Sequence, residues 1–127
     1  MANKAKENKS VIVLSNNKEL YIKPTKLKYF SNGDYAMYQF FEKHGAENII
    51  VTSEGRIIAL KLLSAIFDKA YKSEQVEVAS DNDSPHYETK FTFDEDLEKL
   101  YDEEITLQEF NQIISVSKEV NGIAEKN

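Results

Sequence analysis

The chain has 127 residues, 41% hydrophobic and 30% charged, with a formal net charge of −6 and no cysteine. That size and balance fit one globular domain with a modest core, and they exclude a disulfide scaffold, a thiolate metal site and a cysteine nucleophile. No apolar run approaches the roughly 20 residues of a membrane span, and no signal-peptide apolar region follows the polar start, so the expected location is cytoplasmic.

Charge is unevenly spread. Residues 1–31 hold seven lysines against Glu7 and Glu19, a local +5, and the remainder sums to −11. The basic segment has no arginine and no aromatic before Tyr21, and the acidic body would repel phosphate, so a solvated surface is expected rather than a nucleic-acid arm. Residues 1–10 read as a flexible tail, 11–123 as a single α+β domain, and 124–127 as a C-terminal tail.

In chain order, Val11 to Leu14 and Glu19 to Lys23 flank Ser15-Asn16-Asn17-Lys18, where asparagine tolerates positive φ, and predict a β-hairpin. Leu20 and Ile22 should face one side, Tyr21 and Lys23 the other, with Pro24 ending the second strand. A short amphipathic stretch from Thr25 to Phe30 is broken by Ser31-Asn32-Gly33. Asp34 then reads as the N-cap of a helix through Lys43 that Gly45 stops. Ile49 to Val51 fits a third short strand or a buried approach to the next helix.

Thr52 or Ser53 should cap a helix from Glu54 to Tyr71 that is apolar over most of its circumference, and therefore central. The acidic stretch from Ser73 to Lys90 fits two short strands around an Asn-Asp-Ser-Pro turn, or equally a flexible loop. Thr92 with Glu95 can open a short helix through Leu97, Leu100 and Tyr101. The last helix is fully punctuated. Thr106 and Glu109 form a capping box, Ile105 and Phe110 a hydrophobic staple, and Gly122 the left-handed close. The expected architecture is a β-hairpin followed by a bundle of about four helices, with a second short hairpin or a loop around residues 75–92.

The catalytic inventory is thin. His44 sits at a helix end, where it complements the dipole, and His86 falls in the predicted loop. Neither has a metal-ligand spacing. Counting from Asp81 as an EF-hand loop puts His86 at position 6 and Thr92 at position 12, where glycine and glutamate are required. The acidic run from Asp94 to Glu104 reads as a solvated face. With four glycines, one arginine and no phosphate-cradling or nucleophile-elbow motif, no enzyme, cofactor or metal is expected. The six aromatics from Tyr29 to Phe41 read either as core or as an adhesive face.

Two stretches resemble a known family. Ser10 to Lys28, a hairpin leading into Lys-Pro and Leu-Lys, is similar to the opening of tail assembly chaperones from long-tailed phages of Gram-positive bacteria. Asp96 to Ile123, an acidic-apolar helix followed by one shaped Ile-Ile-x-Val with a closing Gly-Ile, resembles their terminal helix pair. Between them, the Ser31-Asn32-Gly33 break and the Ser73–Lys90 insert depart from the family pattern. The resemblance implies a non-enzymatic chaperone in the host cytoplasm that binds the tape measure protein and recruits tail tube subunits. It also implies a longer frameshifted form, for which the Glu125-Lys126-Asn127 end would supply an A-rich slippery site.

Under this reading the partner surface combines Tyr35, Tyr38 and Phe41 with Phe110 and Ile114 of the last helix, receiving apolar helical stripes in a groove. The alternatives are a virion component of the same phage class (adaptor, neck or tail-associated protein) and a regulatory module that binds a host protein through the acidic face.

Overall fold

A computed structural model describes residues 10–78 and 85–123. The element order is β1 (Val11–Val13), β2 (Glu19–Tyr21), α1 (Leu27–Ser31), α2 (Met37–His44), α3 (Ala46–Ile49), α4 (Ser53–Phe67), β3 (Lys72–Val78), β4 (His86–Thr92), α5 (Glu95–Lys99), a π-helical turn (Leu100–Glu104) and α6 (Leu107–Val120). The class is α+β, with two separate antiparallel hairpins, β1-β2 and β3-β4. The expected tails and the expected Asn-Asp-Ser-Pro turn fall outside the described residues, Ser10 and Pro85 excepted.

The first hairpin pairs Val11 with Tyr21, Ile12 with Leu20 and Val13 with Glu19. Asn17 takes a φ of 70° in the turn, a conformation asparagine adopts more readily than most residues. Ile12, Leu14, Leu20 and Ile22 are buried beneath it, and Val13 and Tyr21 point outward. Alternation and burial therefore agree.

Two polar clamps hold this hairpin along α6. The Glu109 carboxylate accepts from the amide of Thr106 through Oε1 and from the amide of Ser15 through Oε2, both at 2.9 Å. Thr106 in turn accepts from the Glu109 amide, completing the capping box. At the far end the Thr25 amide donates to Asn121 Oδ1 at 2.8 Å, and Asn121 Nδ2 donates to Thr25 Oγ1 at 2.9 Å. Gly122, at φ 72°, closes the helix as expected. The amides of Gly122 and Ile123 donate to the carbonyls of Glu119 and Lys118, the pattern of a Schellman close.

α4 is the central helix. Gly55, Ala59, Leu60 and Leu62 through Ile66 are all buried. Thr52 is its cap, accepting from the Gly55 amide at 2.9 Å. Gly55 is required there, because a Cβ would stand 1.8 Å from the Ile49 carbonyl oxygen. The helix ends at Phe67 rather than Tyr71, because Asp68 turns left-handed at φ 57° and caps it. Its amide donates to the carbonyl of Ser64.

Other boundaries differ from expectation for local reasons. Six α-helical segments are present among the described residues; Gly33 and Gly45, both at φ 85°, make the expected break and stop, and the short α3 after Gly45 is the segment not foreseen. Ile49 and its neighbours are thus helical or turn, not strand. Asp34 is not a helix cap: Ala36 occupies that place without a side-chain bond, and Asp34 is buried. Asp94, not Thr92, caps α5, accepting from the amides of Asp96 and Leu97. Thr92 is committed to the β ladder opposite Lys72.

The 75–92 segment is a hairpin, not a loop. Seven consecutive pairs run from Lys72–Thr92 to Val78–His86. His86 is therefore the first residue of a strand. At the base, Tyr71, Phe91 and Phe93 form a ring cluster with centroids 5.1–6.2 Å apart, and Lys61 sits over the Phe91 ring at 4.3 Å.

Candidate partner-binding surface

The structure brings the five sequence-predicted contact residues together, but as a seam between α2 and α6 and not as a face. Tyr35, Phe41, Phe110 and Ile114 are all buried, Tyr35 to 1% exposure. Phe41 meets Phe110 edge-on at 5.0 Å. The Tyr35 hydroxyl is hydrogen-bonded to Ser117 Oγ at 3.0 Å. Only Tyr38 is half-buried; its ring lies 5.3 Å from Lys118 Nζ, which donates to Glu42 Oε2 at 2.6 Å. The expected docking role for these residues is corrected on that ground. Four of the five side chains are spent mainly on the core rather than turned to solvent. A shallow cleft of about 240 Å³ at the seam, lined by Phe41, Glu42, Asn111, Ile114 and Ser115, is what remains open.

The exposed apolar surface is elsewhere, and half of it falls within residues 13–30. Val13, Tyr21, Leu27 and Phe30 are exposed, Leu27 to 80%. They come from the outer face of the first hairpin and from α1, where Leu27 and Phe30 share a helical face. Such residues singly are ordinary on a protein surface, and here four fall in one short segment.

Beside them runs a groove of about 360 Å³ between β2 with its exit and the end of α4, lined by Glu19, Leu20, Tyr21, Lys23, Pro24, Lys26 and Ala65 to Asp68. Leu20, Ala65 and Ile66 are buried and make an apolar floor. Tyr21 and Phe67 stand at the sides, and Glu19, Lys23, Lys26 and Asp68 supply rim charge of both signs. The groove exists because β2 stops before Pro24 and because Asp68 ends α4 early.

Its electrostatics centre on Asp68. Lys26 Nζ lies 2.7 Å from Asp68 Oδ2, and the Tyr29 hydroxyl donates to Asp68 Oδ1 at 2.9 Å. The hydrogen bond from Lys26, then that from Tyr29, holds the Asp68 carboxyl below its ordinary range. Burial, then the Asp68 carboxylate, pushes the Tyr29 hydroxyl up to about 12. Tyr21 donates to Glu19 Oε1 at 2.7 Å, a bond that raises its own pKa. Every charge at this rim is thus already hydrogen-bonded or water-facing, and the groove offers apolar contact framed by paired ions.

Elsewhere, Arg56 makes a two-bond contact to Asp102 at 3.1 and 2.8 Å and a third to Glu98 at 3.2 Å, which ties α4 to α5. His44 lies at the end of α2 with its ring 4.7 Å from Phe40. Among the described residues no three His, Cys, Asp or Glu side chains are placed to hold a metal ion, and no helix is long and apolar enough to cross a membrane. Comparison with known proteins returned no similarity: no protein-family model, no curated protein and no solved structure matches this chain.

The sequence carried one signal for this surface. Leu27 falls directly after Pro24-Thr25-Lys26, on a helix too short to bury it. The groove itself had no such signal, because its second wall depends on a left-handed aspartate.

Proposed function

We propose that this chain is a non-catalytic assembly chaperone of a long-tailed phage, acting in the host cytoplasm, which shields apolar helical stripes of the tape measure protein and brings tail tube subunits to them. One observation carries the reading. The segment that resembles the chaperone family at its start, Ser10 to Lys28, is the same segment that exposes Val13, Tyr21 and Leu27 and builds one wall of the 360 Å³ groove.

An apolar floor with flanking aromatics suits a helix laid in by its hydrophobic stripe, with rim ions of both signs fixing its direction. The acidity of the rest of the chain would keep a loaded complex soluble and hold neighbouring copies apart.

The test is co-expression of the full chain with the tape measure protein encoded beside it. Soluble, co-purifying tape measure protein supports the reading, and Tyr21→Glu together with Leu27→Glu should abolish the effect while far-UV circular dichroism stays unchanged. A tape measure protein that remains equally insoluble with and without the chain overturns it. Recovery of the chain in purified particles would favour a virion component instead, since a chaperone is shed before maturation.

A further inference from the structure

We infer that β4 is a self-recognition edge: two copies of this chain pair β4 against β4 in antiparallel register about a two-fold axis at Thr89, joining the two hairpins into a four-stranded sheet. The inference is independent of the function proposed above and rests on the second hairpin alone.

The hairpin presents two open edges. β3 and β4 pair only with each other among the described residues, through seven consecutive pairs with no bulge. Natural edge strands are blunted by proline, bulges, clustered lysine or brevity. β4 has none of these within His86–Thr92, apart from the single Lys90. None of its residues, nor any of β3, is fully buried. A two-stranded ribbon exposed on both faces is marginal in water, and a further strand on each side of the join supplies the missing ladder.

The chemistry of β4 selects the occupant. Its sequence, His-Tyr-Glu-Thr-Lys-Phe-Thr, is complementary to itself when reversed about Thr89. Two-fold pairing then sets Glu88 opposite Lys90 of the second copy, and Lys90 opposite Glu88, so both ion pairs are attractive. On the other face Tyr87 meets Phe91 twice, and Thr89 meets its own copy. Opposite charges, paired aromatics and threonine pairs are the favourable cross-strand combinations.

Tyr87 is 56% exposed and free to make such a contact. Moving the axis by one residue places Glu88 opposite Glu88, or Lys90 opposite Lys90, so of these three registers only the one about Thr89 avoids like charges. β3 offers no equivalent. Reversed about Gln75, it sets Glu74 against Val76 and Ser73 against Glu77. Local charge agrees too: Glu88 and Lys90 cancel, so the chain's net −6 is carried away from the join.

The experiment is sedimentation velocity on the full chain and two charge variants. Wild type should show a monomer–dimer equilibrium at about 100 μM, as a contact of this small size would give. Glu88→Lys and Lys90→Glu should each weaken the dimer at least about tenfold, since each places like charges opposite at both pairs. Mixing the two variants should restore a 1:1 dimer, because one then carries two cations and the other two carboxylates.

Lys90→Glu also sets a carboxylate opposite Glu74 within the hairpin, so a second measurement guards against misfolding. Thr89→Cys, the sole cysteine, should cross-link to a disulfide dimer under mild oxidation, and Gln75→Cys should not. A wild type that stays monomeric at about 1 mM overturns the inference. So does a dimer indifferent to both charge changes, or one that cross-links through Gln75→Cys instead.

Discussion

The hairpin of β1 and β2 has three residues per strand and buries Ile12, Leu14, Leu20 and Ile22, whereas that of β3 and β4 has seven per strand and buries none. The shorter ladder is the more firmly held, because its inner face is buried in the core and hydrogen bonds from Ser15 in its turn and Thr25 beyond its exit reach α6 and its cap. The longer one hangs from a cluster of rings at its base. Ladder length is therefore a poor guide to local stability here, and apolar burial a good one.

The largest effect that would break this contrast is a matched pair of truncations. Ile12→Ala should cost about 3 kcal/mol in denaturant unfolding, through lost burial and the cavity left behind. Val76→Ala, half-exposed on the second hairpin, should cost less than about 0.5 kcal/mol. Equal costs would show the second hairpin to be an integral part of the core.

Next comes the polar tether of the second hairpin. Tyr71, just before β3, donates to Asp34 Oδ1 at 2.9 Å, while Asp34 Oδ2 is buried with no partner among the described residues. Tyr71→Phe should cost about 1–3 kcal/mol at neutral pH, because it removes the hydroxyl that bonds Oδ1 of a buried carboxylate.

Asp34 also sharpens the comparison through pH. Burial raises its pKa, opposed by the Tyr71 bond and then by the Lys61 charge; Tyr29 also faces it. A carboxyl raised in the folded state favours folding fully below its unfolded pKa, and that contribution is lost as pH rises through the raised value. Asp34→Asn should therefore raise the melting temperature at pH 7 and leave it little changed near pH 3. A loss at pH 7 that shrinks toward pH 3 would show the carboxylate to be favourable where it stands.

Third in size is the cap shared by the first hairpin and α6. Thr106→Ala should cost about 1 kcal/mol, the ordinary value of an N-cap, and should raise amide exchange in residues 107–110 before any change appears in β3 and β4. Smallest is the surface tie between α4 and α5. Arg56→Gln should cost no more than about 1 kcal/mol and shrink further in high salt, since the three side chains are each more than a third exposed.

The same contrast explains how much of this fold was legible in the sequence. The central helix could be read because it is apolar over most of its circumference. The first hairpin and the capped terminal helix could be read because one face of each is buried, and burial writes a period into the residues. Leu20 and Ile22 against Tyr21 and Lys23 is such a record. The second hairpin left strand and loop equally open because solvent reaches both of its faces, so the alternation of Val76 and Val78 with glutamates marks no fully buried side. The candidate surface was misplaced for a related cause. Tyr35, Phe41, Phe110 and Ile114 are of the types that build cores and interfaces alike, and sequence shows the type without showing what covers it. The end of α4 at Asp68 and the cap at Asp94 depended on backbone geometry that neighbouring residues do not specify.

The bond from Glu109 to the Ser15 amide joins positions 94 residues apart, and it has a consequence for synthesis. Until the final helix has left the ribosome that bond cannot form, so the turn of the first hairpin stays untied for almost the whole of translation. A polypeptide waiting in that state can be caught by cellular holding factors, or can catch another chain itself, before its own last helix arrives to claim the place.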